Sequence, residues 1–266
     1  MKQRVISAIV VLTLFIPILI MGGDIFNLTF YILTLLGLRE FMNVRETEKK
    51  FPDFIRLISY ILISFLYFVN TYDKGLSFSI DYRIIAGLSL TLLLPVILYH
   101  NEKVYNVRDA FYLLGGVFFL GFSMSLFYMY RTHSLSLFIF LFLITIITDS
   151  YAYFTGRLIG KTKLLESISP NKTWEGTIGG SLVATFVCTV YYLTVINPNA
   201  SIVVIALIVL LLSLIGQFGD LFFSAIKRRF RVKDFSNLMP GHGGVLDRLD
   251  SIIFVMLTFT FFLNIL

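Results

Sequence analysis

The sequence predicts an all-α, polytopic membrane protein with about nine transmembrane helices. Hydrophobic residues make up 57% of its 266 residues and only 14% are charged, which is too little polar surface for a soluble domain of this length. The apolar runs are continuous and close to the roughly 20 residues that cross a bilayer core, whereas the strands of a β-barrel alternate in polarity. The predicted spans are residues 4–22, 24–43, 54–71, 82–99, 109–130, 134–156, 174–196, 201–226 and 245–266.

The basic residues predict the orientation of these spans. With the N-terminus inside, 19 of the 22 Lys and Arg residues fall on the inner side, and only Lys74, Arg83 and Arg131 fall outside. Cytoplasmic loops carry such an excess, so we expect a multi-pass cell membrane protein with a cytoplasmic N-terminus. The net charge of +6 then suits anionic lipid at the inner surface, and no nucleic-acid partner is expected.

The two halves of the chain differ in polarity. Residues 1–133 have few ionisable groups inside their spans and are interpreted as scaffold helices, in which Gly115, Gly116 and Gly121 would allow close helix contact. Residues 134–266 are interpreted as the catalytic part. Asp149 and Asp220 lie inside its spans, about 10 Å from the inner helix ends at 1.5 Å per residue. Carboxylates at such depth are costly and mark candidate functional sites.

Each of these carboxylates belongs to a polar or small-residue helix face. The faces are Thr145, Asp149, Ala152 and Gly156 in one span, and Ser213, Gln217, Asp220, Ser224 and Lys227 in the other. Two such faces at equal depth would line one polar cavity that opens to the cytoplasm. A purely structural pairing, such as Asp149 with a Lys or Arg, is the alternative.

The loop before the seventh span has the features of an anion site. Ser169-Pro170 predicts a turn, and Thr173 or Ser169 could cap the following helix. Asn171 and Lys172 would then stand beside a helix N-terminus, where backbone N–H groups, the helix dipole and an ammonium group attract anions.

The segment from Asp220 to Ser251 carries the densest group of charges and glycines in the chain. Lys227 and Arg228 end the eighth span, and cations there complement the helix dipole. Further along follow Lys233, Pro240-Gly241-His242-Gly243-Gly244, Asp247, Arg248 and Asp250. Glycines let backbone approach a ligand, and carboxylates hold a hard cation that binds phosphate. The residues therefore predict metal-assisted phosphate chemistry. His242 is either a general base or a group that orients a phosphate or the loop.

These motifs resemble a known family. The run Ser224-x-x-Lys227-Arg228 with Lys233-Asp234, followed by residues 240–250, is similar to the signature of bacterial phosphatidate cytidylyltransferases, also called CDP-diacylglycerol synthases. Residues 149–157 and 169–176 resemble two further segments of that family. The resemblance implies that CTP and membrane phosphatidate give CDP-diacylglycerol and diphosphate in phospholipid biosynthesis.

The resemblance also implies roles for individual residues. Asp220 and Asp247 would be metal ligands, helped by Asp149 and Asp250, with Mg²⁺ or Mn²⁺ as the ion and a second ion such as K⁺ beside it. The implied catalytic set is Asp220, Asp247, Lys227, Arg228 and His242. The implied substrate-binding set is Asn171, Lys172, Thr173, Ser224, Lys233, Gly243, Gly244 and Arg248. Because the attacking phosphate is already ionised at neutral pH, a general base at His242 is not required.

Two alternative functions stay open at this point. One is a related enzyme, either a CTP-dependent polyprenol or phytol kinase or an archaeol-type cytidylyltransferase. The other is a transporter of anions or lipid phosphates, which would move them across sealed vesicles without consuming CTP. The polar faces and glycine-rich spans also permit a homodimer.

Overall fold

The structure is a computed structural model that describes residues 2–72, 82–239 and 241–263, with the side chains of residues 2–8, 11 and 12 left aside. Three features of the sequence are not among the described residues. They are Lys74, which is predicted to face the outer side of the membrane, Pro240 of the glycine-rich motif, and the end of the ninth predicted span.

Nine α-helices within the described residues correspond to the nine predicted spans. They are α1 (Lys2–Met21), α2 (Gly23–Glu46), α3 (Asp53–Tyr72), α4 (Tyr82–Tyr99), α5 (Val107–His133), α6 (Leu135–Ile159), α7 (Trp174–Tyr191), α8 (Ile202–Arg229) and α9 (Leu246–Thr260). A π-helical turn, Tyr192–Ile196, continues α7. Seven helices, α2 to α8, are long and apolar enough to cross a membrane. The predicted all-α membrane fold is confirmed, while crossing by α1 and α9 stays a prediction.

The chain divides into two compact units. The first comprises residues 1–133 together with residues 234–246, and the second comprises residues 134–233 and 247–266. The division that the sequence predicts at residue 133, between a scaffold part and a catalytic part, stays a prediction. It did not anticipate that the glycine-rich segment packs with the first half of the chain.

Aromatic side chains and small residues hold the first unit together. Phe30 of α2 stacks on Phe127 of α5 with ring centroids 4.7 Å apart. A Cβ on Gly116 would collide with the ring of Phe41, and one on Gly121 would lie 2.8 Å from Leu66. These two glycines therefore allow close helix contact, as expected. At Gly115 no atom of the described residues lies within 4 Å of such a Cβ, so the same expectation is wrong for this glycine.

A buried carboxylate ties the start of α5 to the end of α2. The side chain of Asp109 is 1% exposed and accepts hydrogen bonds from Arg45 at 2.7 Å and Lys49 at 2.6 Å. Asn106 and Asp109 also accept hydrogen bonds from each other's backbone N–H. This reciprocal arrangement satisfies two amide donors at the helix N-terminus and explains why α5 begins at Val107.

Small residues bring the helices of the second unit close together. A Cβ on Gly180 of α7 would lie 2.5 Å from the carbonyl oxygen of Thr148 and 2.8 Å from Ala152 on α6. Gly219 of α8 likewise approaches Phe254 of α9. Any larger residue would separate these backbones, so the glycines set how near the polar faces of the helices lie.

The loop after α6 contains a short β-hairpin, a feature that the all-helical prediction lacks. Strands β1 (Lys163–Leu165) and β2 (Ser169–Thr173) are antiparallel, with Lys163 opposite Thr173. The turn lies at residues 166–168, so the predicted Ser169-Pro170 turn is wrong. Pro170 sits within β2 because a two-stranded sheet has only edge strands, where a missing N–H costs little.

Candidate active site

A cavity of about 520 Å³ lies in the second unit and contains both predicted intramembrane carboxylates. Its lining residues are Asp149, Ala152, Tyr153, Gly156, Arg157, Asn171, Lys172, Thr173, Gly176, Thr177, Gln217 and Asp220. Asp149 and Asp220 thus line the same cavity, while Thr145, Ser213, Ser224 and Lys227 of the two predicted faces are not among its lining residues. Opening of this cavity towards the cytoplasm stays a prediction.

A buried layer of hydrogen bonds fixes the rotation of the helices that line this cavity. The hydroxyl groups of Thr148 and Ser213 are 2.8 Å apart, and Ser213 donates to Ser181 at 3.0 Å. Gln217 donates to Ser181 at 2.9 Å. These bonds satisfy polar groups that would otherwise be buried unpaired. Asp220 follows Gln217 by three residues, so the same rotation directs it to the same side of α8.

Lys172 brings the hairpin and α8 together at the cavity. Its ammonium nitrogen lies 2.7 Å from Asp220 Oδ2. Ser224, one turn further along α8, donates to Asp220 Oδ1 at 3.3 Å. Thr173 is the N-cap of α7 and accepts a hydrogen bond from the amide of Gly176 at 3.1 Å. The predicted cap is therefore confirmed at Thr173, and a role of this residue in substrate binding stays a prediction.

A second lysine–aspartate pair joins the last turn of α8 to the first turn of α9. Lys227 Nζ and Asp247 Oδ1 are 2.7 Å apart, and their side chains are 9% and 3% exposed. Isolated charges would be very unfavourable at such burial, so each requires the other. The helix-dipole interpretation of Lys227 is thus incomplete, because its ammonium group is directed at a predicted metal ligand.

The remaining carboxylates stand near these pairs. Asp149 lies near the charges of Lys172 and Asp220, and Asp250 lies near those of Asp220 and Lys227, so each carboxylate faces both a like and an opposite charge. Among the described residues, no three Asp, Glu, His or Cys side chains form a ready metal cluster. Mg²⁺ is usually held by one or two carboxylates together with water and substrate phosphates. The carboxylate oxygens of this site fit that mode of binding.

Four other residues predicted to contact substrate are Arg228, Asn171, Lys233 and Arg248. Arg228 donates to the carbonyl oxygens of Ile168 at 3.3 Å and Val232 at 3.1 Å, so its guanidinium group fastens the hairpin turn. Asn171, Lys233 and Arg248 are exposed. Contact of these four residues with substrate stays a prediction.

The glycine-rich segment belongs to the first unit, and its glycines have structural reasons. Gly241 and Gly243 have φ angles of 78° and 81°, which other residues rarely adopt. Met239 and Gly243 exchange backbone hydrogen bonds of 2.9 Å and 3.1 Å. A Cβ on Gly244 would collide with the carboxylate of Glu40. Binding of substrate by His242, Gly243 and Gly244 therefore stays a prediction, and the turn alone accounts for the glycines.

Glu40 is a residue that sequence reasoning missed. Its side chain is buried, with 4% of the residue exposed. It accepts hydrogen bonds from Ser236 Oγ at 2.7 Å and from the amides of Val245 and Leu246, both at 2.9 Å. A carboxylate inside the predicted 24–43 span was the available signal, because such groups are costly in apolar surroundings. Its partners, about 200 positions away in the chain, carry no matching signal.

Comparison with known proteins identifies the family. A sequence model described as the cytidylyltransferase family matches residues 2–266. Proteins named phosphatidate cytidylyltransferase are 36% identical in Staphylococcus haemolyticus over 257 residues, 37% in Staphylococcus epidermidis over 256 residues and 35% in Staphylococcus aureus over 257 residues. Each alignment covers 96% of this chain and 96% of the relative. The carboxylates, lysines and cavity described above thus lie in a membrane protein that belongs to the cytidylyltransferase family.

Proposed function

We propose that this chain is a phosphatidate cytidylyltransferase, which converts CTP and phosphatidate into CDP-diacylglycerol and diphosphate at the cytoplasmic face of a cell membrane. The observation that supports it most directly is the pairing of Lys172 with Asp220 inside a cavity that also holds Asp149. Full-length similarity to proteins that bear this name supports the choice of substrates.

The reaction joins two anionic reactants. A phosphate oxygen of phosphatidate forms a bond to the α-phosphorus of CTP, and the bond between that phosphorus and the diphosphate leaving group breaks. The protein must cancel the repulsion between the reactants, align them and stabilise the charge that develops on diphosphate.

The two lysines are placed to supply positive charge. Lys172 and Lys227 each lie 2.7 Å from a carboxylate oxygen, and these pairs keep the ammonium groups at defined positions. In the proposed complex both bind phosphate oxygens, and Arg228, Lys233 and Arg248 bind further phosphate charge. Such fixed cations stabilise the transition state because they need no reorganisation when the reaction occurs.

Proton transfer has a minor role in this proposal. The attacking phosphate of phosphatidate is ionised at neutral pH, so no side chain has to remove a proton from it. His242 is assigned to orient the glycine-rich turn or a phosphate, and its replacement should therefore slow turnover without creating a new pH dependence.

Asp220 and Asp247 would hold Mg²⁺ or Mn²⁺, with Asp149 and Asp250 adjusting the charge around them. When bound, such an ion neutralises phosphate charge and stabilises the diphosphate leaving group. The two aspartates form ion pairs with the two lysines, which supports the proposal that carboxylates for a metal and cations for phosphate act together.

Substitution of the two aspartates tests the proposal. Asp220→Asn and Asp247→Asn remove a charge at each proposed metal ligand with little change of shape, and both should abolish CDP-lipid formation by purified protein supplied with CTP, phosphatidate and Mg²⁺. Asp53→Asn is the matched control, because the Asp53 side chain is fully exposed at the start of α3. Wild-type rates in both site variants would remove the metal assignment.

A further inference from the structure

The carboxylate of Glu40 joins α2 to a segment that lies far away in the sequence. Oε1 accepts hydrogen bonds from Ser236 Oγ and from the amide of Val245, and Oε2 accepts one from the amide of Leu246. Both carboxylate oxygens are therefore used, and all three donors belong to residues 236–246. Hydrogen bonds to a charged acceptor are stronger than those between neutral groups.

The surroundings of Glu40 are shaped for this contact. Gly37, one turn earlier on the same face of α2, would place a Cβ only 3.2 Å from Leu246 Cδ2. Gly244 leaves space for the carboxylate itself, since a Cβ there would collide with it. Val245 and Leu246 are 3% and 0% exposed. Gly37 on α2 and Gly244 in the facing segment thus leave the space that the Glu40 carboxylate needs to reach the amides of Val245 and Leu246.

Leu246 is the first residue of α9, and the first amides of a helix have no carbonyl partner within the helix. Here Glu40 supplies that partner from another helix, in place of the usual capping side chain next to the helix start. Asp247, a proposed metal ligand, is the next residue in the chain. The three hydrogen bonds fix the backbone just before Asp247, and with it the point from which the Asp247 side chain extends.

We propose that Glu40 is a positioning residue for the reaction, which holds the start of α9 so that Asp247 is presented in the geometry that metal and phosphate require. The inference rests on the proposed function. It also gives α2, interpreted from the sequence as scaffold only, a direct part in the organisation of the active site. The amides of Val245 and Leu246 face a carboxylate, so they are assigned to holding the turn and not to binding phosphate.

Glu40→Gln is the sharpest perturbation, because it keeps the shape of the side chain. An amide has one acceptor oxygen, so in either orientation its NH₂ group faces at least one backbone N–H that Glu40 now satisfies. Glu46→Gln is the matched control on the same helix. Glu46 pairs with Arg56 at 3.4 Å and accepts from the amide of Phe51, both through Oε1, so its replacement removes a charge from the same helix without affecting residues 236–246.

Two measurements on the purified full chain decide the proposal. Amide hydrogen exchange at Val245 and Leu246 should become about tenfold faster in Glu40→Gln and stay unchanged in Glu46→Gln. The Mg²⁺ concentration for half-maximal CDP-lipid formation should rise about tenfold or more in Glu40→Gln alone, because small displacements of an active-site group have effects of that size. A general loss of stability would instead lower the amount of active enzyme without moving this concentration.

Unchanged exchange at Val245 and Leu246 would overturn the proposed contact. Faster exchange with an unchanged half-maximal Mg²⁺ concentration would overturn the positioning role. If the wild-type protein formed no CDP-lipid, the proposed function would fail separately. In that case the Mg²⁺ dependence of CTP binding is measured instead, through the fluorescence of Trp174, the single tryptophan of the chain. A higher Mg²⁺ requirement in Glu40→Gln would support the positioning role, and an unchanged requirement would overturn it.

Discussion

Replacement of Lys227 by methionine is predicted to destabilise the fold as well as to stop turnover. Methionine keeps the length of the buried stem but removes the ammonium group that lies 2.7 Å from Asp247 Oδ1. Because the Asp247 side chain is only 3% exposed, water cannot replace the lost partner. Breaking a buried ion pair by removing one member typically costs about 3 kcal/mol or more, which is roughly a hundredfold change in the unfolding equilibrium.

The pair of Lys172 with Asp220 allows a comparison with the same interaction at lower burial. Lys172 and Asp220 are also 2.7 Å apart, but their side chains are 22% and 30% exposed. Solvent screens such a pair, so Lys172→Met should cost about 1 kcal/mol or less. Both variants should lose CDP-lipid formation, because both ammonium groups are proposed to bind phosphate.

Equilibrium unfolding in mixed detergent micelles, followed by the fluorescence of Trp174, measures both free energies. The double variant Lys227→Met with Asp247→Asn should recover most of the lost stability, since a neutral amide then replaces the carboxylate that has lost its ammonium partner, and it should remain inactive. Equal losses for Lys227→Met and Lys172→Met, or a Lys227→Met protein as stable as the wild type, would refute the argument from burial.

Three further substitutions test other parts of the structure. Thr173→Ala should cost about 1 kcal/mol of unfolding free energy because the N-cap of α7 is lost, whereas Thr173→Ser should keep it; equal stability of the two variants would contradict the cap. Asp109→Asn should destabilise the first unit by about 1.5 kcal/mol, because Arg45 and Lys49, which are 13% and 22% exposed, lose hydrogen bonds to a charged acceptor, and an unchanged unfolding midpoint would contradict this. Gly180→Leu should prevent close packing of α6 on α7 and lower the yield of folded protein in size-exclusion chromatography, while Gly115→Leu, in open space, should not.

Much of the helical architecture is predictable because it depends on local composition. Each of the nine apolar runs overlaps a helix in the part of the chain that the structure describes, for example 82–99 against Tyr82–Tyr99 for α4. The shared surface of Asp149 and Asp220 was also predictable, since helical periodicity sets which side chains lie on one face.

The partners of buried charges were not predictable in the same way. Nothing local shows that Lys172 faces Asp220 or that Lys227 faces Asp247, because each pairing depends on how separate elements pack. Glu40 illustrates the limit most clearly: its donors are Ser236, Val245 and Leu246, and only tertiary structure brings them to α2. The structural reasons for Gly241, Gly243 and Gly244 were hidden in the same way, since backbone angles and a distant carboxylate are not visible in the sequence.

The central claim is cytidylyl transfer to phosphatidate, and the fate of labelled phosphorus in CTP tests it most directly. Purified protein is supplied with phosphatidate, Mg²⁺ and CTP labelled at either the α- or the γ-phosphorus. The account predicts that the α label enters the lipid and that the γ label is recovered in diphosphate, in equal amounts. A γ label in the lipid with release of CDP would indicate a kinase, and no labelled lipid with any divalent ion would contradict the account altogether.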